Sequence, residues 1–216
     1  VFYMAHLFSV FLSLSGKNCL VVGAGQVAER KIADLLECEA NINVISPTAG
    51  DLIRLWSNQG LINWQAREII YSDLDNIFLA FVATNNMHTN QMVVNWCRER
   101  GIMVNAVDDP PNCDFYVPAV VRRNSLVVAI STEGKSPMFS RKLREQLEGI
   151  IGEEYGEFVD FLGEQREPIK QAVTDIERRK RIFEALADSD ILDLLKAGER
   201  ERAKERMEQC MSSWQD

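Results

Sequence analysis

Basic residues are in short supply: 24 Lys and Arg stand against 32 Asp and Glu, for a formal net charge of −8. A chain without a basic excess or a lysine–arginine stripe is not built to hold a polyphosphate backbone, which excludes nucleic acid as the main partner. An anionic small molecule stays open, because a few local cations suffice for it. Histidine is scarcer still, with only His6 and His88. The five cysteines, Cys19, Cys38, Cys97, Cys113 and Cys210, are odd in number and contain no C-x-x-C pair. Neither a zinc ribbon nor a disulfide framework fits, so no metal ligands are expected and a reducing cytoplasmic setting is the natural reading. Cys113 has no histidine near it in sequence to activate it and reads as packing, and His88 reads as an incidental loop residue. A long apolar run is also missing. Residues 1–14, VFYMAHLFSVFLSL, are too short to span a bilayer and lack the basic flank and cleavage site of a signal peptide. They are expected to form a first strand or an apolar arm, and no membrane partner is expected.

What is present is an alternation of apolar runs and amphipathic stretches. NCLVV at 18–22 ends abruptly in Gly23-Ala24-Gly25-Gln26-Val27-Ala28, and ERKIADLLECEA follows with apolar residues at helical spacing. INVI at 42–45 then stops at Ser46-Pro47, which completes a strand–turn–helix–strand unit. Asp51 to Asn58 reads as a helix, LINWQA at 61–66 as a short strand, and IFLAFVAT at 77–84 as a fully apolar strand of the buried parallel kind. A helix over 90–100 and a strand over 102–107 continue the series. The pattern predicts an α/β fold with a Rossmann-type, doubly wound parallel sheet. It breaks at DDPPNCDFYVP, after which two strands near 117–122 and 126–131 read as an antiparallel hairpin. Ser136-Pro137 is a good helix start, and only helical periodicity follows residue 150.

Gly23-x-Gly25-x-x-Ala28 fits the dinucleotide fingerprint with alanine in the third place. The first glycine allows the tight turn, the second lets the backbone approach a pyrophosphate, and the small third residue lets helix and strand pack. The pyrophosphate would then rest on the helix N-terminus near Gln26 and Val27. The acidic residue expected after the second strand is absent: Ser46-Pro47-Thr48 stands in its place. No arginine follows that strand either, which leaves a 2′-phosphate without a clamp and favours NAD over NADP. Thr84 and Asn85, at the end of the fourth strand, are expected near the nicotinamide.

GAGQVAERKIADLL, followed by NAVDDPPNCDFYVPAVVRRNSLVVAISTEGKSPMFSRKLREQL, resembles the precorrin-2 dehydrogenase family. That family comprises the N-terminal half of the siroheme synthases and their stand-alone relatives. The similarity runs from about residue 7 to about residue 150. Ala24 departs from it, where the family often has a third glycine. The resemblance implies NAD-dependent dehydrogenation of precorrin-2 to sirohydrochlorin in siroheme biosynthesis. It leaves open sirohydrochlorin ferrochelatase activity, with ferrous ion as co-substrate. It places the catalytic aspartate on Asp108, with Asp109 its local rival, and Thr132 near the substrate pocket; Asn105 and, from the cations clustered around the hairpin and the next helix, Lys135 and Arg141 are further expected substrate contacts. Arg122, Arg123, Lys142 and Arg144 add cations for a substrate that carries many carboxylates. With no methyltransferase module following, the stand-alone form is expected.

Charge divides the chain: 23 of the first 140 residues are charged, against 33 of the last 76. The expected organisation is an NAD-binding Rossmann domain over 1–113, a dimerisation segment of hairpin plus helix over 114–149, and a helical domain over 150–216. A homodimer is expected, with the apolar hairpin strands burying against a second copy. A non-catalytic NAD-binding sensor module is the alternative; it normally keeps the acidic residue after the second strand and gives no reason for the CDFYVP…ISTEGKSP segment. An ordinary small-ketone reductase would bring a tyrosine, lysine or histidine acid in a recognisable motif, and none is present.

Overall fold

A computed structural model describes residues 6–212. The chain forms two compact units, one ending at Val117 and the other beginning at Pro118.

The first unit is a five-stranded sheet in the order β3-β2-β1-β4-β5, parallel throughout. Its strands are β1 (Asn18–Val22), β2 (Asn41–Ile45), β3 (Asn63–Gln65), β4 (Leu79–Val82) and β5 (Met103–Ala106). The helices are α1 (Gln26–Glu37), α2 (Asp51–Asn58) and α3 (Met87–Glu99). Alternation along β1 shows the double winding. Cys19 and Val21 pack with Ala28, Ile32 and Leu35 of α1 and Ile53 of α2, whereas Leu20 and Val22 pack with Val93, Val94 and Cys97 of α3. A parallel sheet covered on both faces needs strands that are apolar in both registers, which is why β1 and β4 read as unbroken apolar runs.

The doubly wound sheet read from the sequence is therefore present, with ends shifted by a few residues. Residues 6–13 are an exposed arm without strand pairing, and Leu14 is the first to enter the core. Of the two alternatives for the N-terminal stretch, the described part is an arm; residues 1–5 lie outside the described residues.

The first unit also runs past residue 113. Asp114 is hydrogen-bonded to Val104 through its own N–H (2.8 Å) and through its carboxylate, which accepts from Val104 N (2.9 Å). Phe115 meets Phe81 edge to face at 5.3 Å. These bonds satisfy the free edge of β5, so the chain leaves the first unit only at Val117.

The second unit opens with the hairpin β6 (Ala119–Arg123) and β7 (Leu126–Ile130), antiparallel with Arg123 opposite Leu126. Asn124 turns the chain at φ +46°, a conformation that asparagine tolerates better than most residues. Then come α4 (Pro137–Glu148), α5 (Glu153–Glu164), α6 (Arg166–Ala172), α7 (Ile176–Ala187), α8 (Ile191–Lys196) and α9 (Arg200–Ser212). Ser136 caps α4 as expected, its Oγ accepting from Phe139 N at 3.3 Å. The helices close around Phe158, Ile169, Ile182, Leu186, Ile191, Leu195 and Met207. This second core is separate from those of the sheet. Its thin apolar stripes leave most of the charge in water, which explains the step in charge density.

Candidate functional site

The β1–α1 turn is built by steric necessity. Gly23 has φ +106°, and a Cβ there would lie 2.3 Å from the Ala83 carbonyl oxygen at the end of β4. Gly25 differs: its φ is −91°, and a Cβ would meet no protein atom within 4 Å. Packing therefore gives no reason for glycine at 25, yet the residue lines a cavity of about 740 Å³. The free space at Gly25 is where a ligand's phosphates would pass closest to the backbone, and α1 begins at the next residue with its N–H groups unpaired. The residues present fit a dinucleotide.

The cavity lies at the C-terminal ends of the parallel strands, where open α/β sheets take their ligands. Of the residues expected from the sequence, Gly23, Gly25, Gln26, Ser46, Pro47, Thr48, Thr84 and Asn85 line it. Val27 and Ala28 do not; Ala28 is fully buried among the strand residues, as its place in the fingerprint requires. Thr84 is held in place, its Oγ accepting from Asn86 N (3.1 Å) and donating to Asn90 Oδ1 (2.5 Å). Asn86 caps α3 by accepting from Thr89 N (3.1 Å).

Sequence reasoning missed Glu29, Arg67, Glu68, Asn86 and Thr89. Arg67 corrects an expectation. No arginine follows β2, but β3 lies parallel beside β2, so the residues after β3 reach the same rim. Ser46 N donates to the Gln65 carbonyl (3.3 Å), and Trp64 Nε1 donates to the Ser46 carbonyl (3.1 Å). The signal was available in the adjacency of the strands, not in the residues following β2.

Asp108 stands just past β5 in a left-handed conformation, φ +60°. It is exposed, and its carboxylate has no hydrogen bond or ion pair among the described residues. It does not line the cavity. Asp109 is engaged instead: its Oδ2 accepts from Asn112 Nδ2 (2.7 Å) and its carbonyl accepts from Asn112 N (3.0 Å). The turn thus consumes Asp109 and, among the described residues, leaves Asp108 without a partner. Asn105 is buried, its amide donating to the Phe115 carbonyl at 2.8 Å. Cys113 is half-buried, with its thiol on the Ala106 carbonyl (3.1 Å), and burial raises its pKa. His88 is exposed in the first turn of α3 and does not line the cavity.

In the second unit, Thr132 Oγ1 accepts from Ser136 N and from Ser140 Oγ, both at 3.1 Å. Lys135 lies 4.0 Å from Glu133, and Arg141 is 2.9 Å from Glu145; both are exposed. Arg123 donates to the Ile151 and Glu148 carbonyls, and Arg144 pairs with Glu148 at 2.6 Å. These last two serve the fold.

The fold and the glycine turn define a dinucleotide-binding α/β protein. The chain belongs to the putative NAD(P)-binding family, whose model matches residues 10–119. Two further models continue it, the sirohaem biosynthesis protein central region over 123–150 and the sirohaem synthase dimerisation region over 154–211. Their order agrees with the resemblance read from the sequence. Among curated relatives, the siroheme synthase of Nitrosococcus oceani is 34% identical over 94% of this chain and 43% of its own length. That of Buchnera aphidicola is 35% identical over 94% and 44%. The chain thus spans less than half the length of the curated relatives it matches. A solved structure described as SirC, precorrin-2 dehydrogenase, matches with a TM-score of 0.76 at 28% identity, covering 94% of this chain and 100% of that one.

Proposed function

We propose that the protein catalyses NAD-dependent dehydrogenation of precorrin-2 to sirohydrochlorin, a step of siroheme biosynthesis. The observation that carries this is the free carboxylate of Asp108 at the C-terminal edge of the same parallel sheet that builds the dinucleotide cavity. A bound NAD supplies the hydride acceptor. Dehydrogenation removes a proton as well, and Asp108 is the group proposed to take it or to stabilise the cation that precedes its loss. Its freedom from any partner among the described residues suits either role, since no ion pair there must break first. Gly23, Gly25 and Gln26 would hold the pyrophosphate, Ser46, Pro47 and Thr48 the adenosine side, and Thr84 and Asn85 the nicotinamide side.

In the second unit Thr132, Lys135 and Arg141 are the proposed substrate contacts. Among the described residues Lys135 pairs with half-buried Glu133 at 4.0 Å and Arg141 with exposed Glu145, weak surface pairs that substrate carboxylates can replace. Asn105 is proposed to act from beneath, by holding the segment after Asp108 through Phe115.

A homodimer is part of the proposal, supported by the dimerisation-region match. That match covers 154–211, downstream of the hairpin-plus-helix segment that the sequence reading assigns to dimerisation. A cytoplasmic location is proposed on the free thiols; no helix among the described residues is long and apolar enough to cross a membrane. Ferrous-ion insertion into sirohydrochlorin is a further step within the same proposal, tested against the uncatalysed rate. The ferrous ion is consumed in that step and is its substrate.

The test is incubation with precorrin-2 and NAD, followed by absorbance. Sirohydrochlorin formed only when NAD is present is the expected result. NAD binding without turnover would favour the non-catalytic sensor instead.

A further inference from the structure

Among the described residues, three charged ones line the cavity: Glu29, Arg67 and Glu68. Arg67 is the cation among them, and an arginine on the adenosine side ordinarily marks a clamp for the 2′-phosphate of NADP. Here its donors are already spent. Nε donates to Gln65 Oε1 (3.1 Å), and one terminal nitrogen donates to that oxygen and to Asp73 Oδ1, both at 2.5 Å. The other donates to Asp73 Oδ2 (2.7 Å) and to the Glu68 carbonyl (3.0 Å). A guanidinium has five N–H donors, and these contacts use all five. Asp73 is in turn fixed by Ile70 N (2.9 Å), with its side chain only 10% exposed.

The pair also cancels its own charge, which leaves the carboxylates of Glu68 and Glu29 to set the field in the cavity. Glu68 is exposed and follows Arg67 directly. It lines the same cavity as Ser46, three residues past Gln65, the end of β3, whose carbonyl accepts from Ser46 N; the acidic residue of the fingerprint would otherwise sit at the end of β2.

We infer that Glu68 is the acceptor for the adenosine ribose hydroxyls, supplied from the third strand instead of the second, and that Asp73, by holding Arg67, makes the site reject a 2′-phosphate. Glu68 is a binding residue; Asp73 is a positioning residue that acts through Arg67. The inference rests on the dinucleotide reading of the cavity. A ribose 2′-hydroxyl can donate to a carboxylate, whereas a 2′-phosphate brings close to two negative charges toward it.

The test is calorimetric titration of the full chain with NAD and with NADP, which needs no turnover. The wild type is expected to bind NAD at least about tenfold more tightly than NADP, a difference of ~1.4 kcal/mol. Glu68→Gln is expected to weaken NAD and narrow that ratio by about tenfold. Asp73→Asn is expected to tighten NADP alone, and adding Arg67→Met to it is expected to abolish the gain, which a purely structural Asp73 would not produce. NAD binding with an equal affinity for NADP, or an unchanged ratio in Glu68→Gln, overturns the inference and leaves the cofactor reading standing. Binding of neither dinucleotide by the wild type overturns both.

Discussion

Gly23 lies so close to Ala83 that a Cβ on the glycine would sit 2.3 Å from the alanine's carbonyl oxygen. The end of β1 is thereby pressed against the end of β4, and the cavity opens beside that contact. Two residues further on, Gly25 has open space where its Cβ would be. The two glycines of one motif therefore do different work, and substitution separates them. Gly23→Ala is expected to cost about 2 kcal/mol or more, since it combines a collision with a left-handed φ. Gly25→Val is expected to keep the urea midpoint while NAD affinity falls at least about tenfold, because its branches enter the cavity. Urea unfolding and NAD titration of both variants check this.

Asp108→Asn is expected to retain the fold and NAD affinity, because asparagine also accepts φ near +60° and the carboxylate has no partner to lose among the described residues. Turnover of precorrin-2 is expected to fall by about 10² or more. Asp109→Ala is expected to do the reverse, loosening the turn held through Asn112 at a cost of about 1 kcal/mol while sparing the chemistry. Parallel melting curves and turnover rates distinguish the two carboxylates.

The Arg67 guanidinium holds the Asp73 carboxyl below the usual carboxylate range, against an opposing push from burial. An unfolded aspartate titrates near ~3.9. With the folded value lower than that, the stabilisation is fully present above about pH 3.9 and is lost as the pH falls through the folded value. Asp73→Asn should therefore be less stable than the wild type at neutral pH, by about 1–2 kcal/mol. The gap should close on acidification below about pH 4, and urea midpoints across that range check the sign.

Burial pushes the thiols of Cys19 and Cys97 up to about 11. Both lie inside the sheet unit with no exposed surface. In the native protein at about pH 8 their thiolate fraction is on the order of one in a thousand. Iodoacetamide is expected to modify the half-buried cysteines, Cys38 and Cys210 among them, before Cys19 and Cys97, and to reach those two only on unfolding, as peptide mapping would show.

The sheet was legible because its strands announce themselves as apolar runs and its first turn as a steric motif. β3 was the weak point: Asn63-Trp64-Gln65 is short and polar, and its importance comes from lying beside β2. That adjacency brings Arg67 and Glu68 to the rim and cannot be read from residues near β2. The division between Asp108 and Asp109 was equally hidden, because it depends on which carboxylate the Asn112 turn consumes. Where the first unit ends is equally hard to read from the prolines at 110 and 111. They end regular structure, yet the chain after them folds back onto β5 through Asp114 and Phe115.

The most direct test of the proposed activity is the stoichiometry of one reaction. Precorrin-2 is incubated anaerobically with the protein and NAD, and NADH and sirohydrochlorin are followed together. The account predicts that both form in equal amounts, at a rate proportional to protein and abolished in Asp108→Asn. Protein that binds NAD but yields neither product, or sirohydrochlorin formed without NADH, would contradict it.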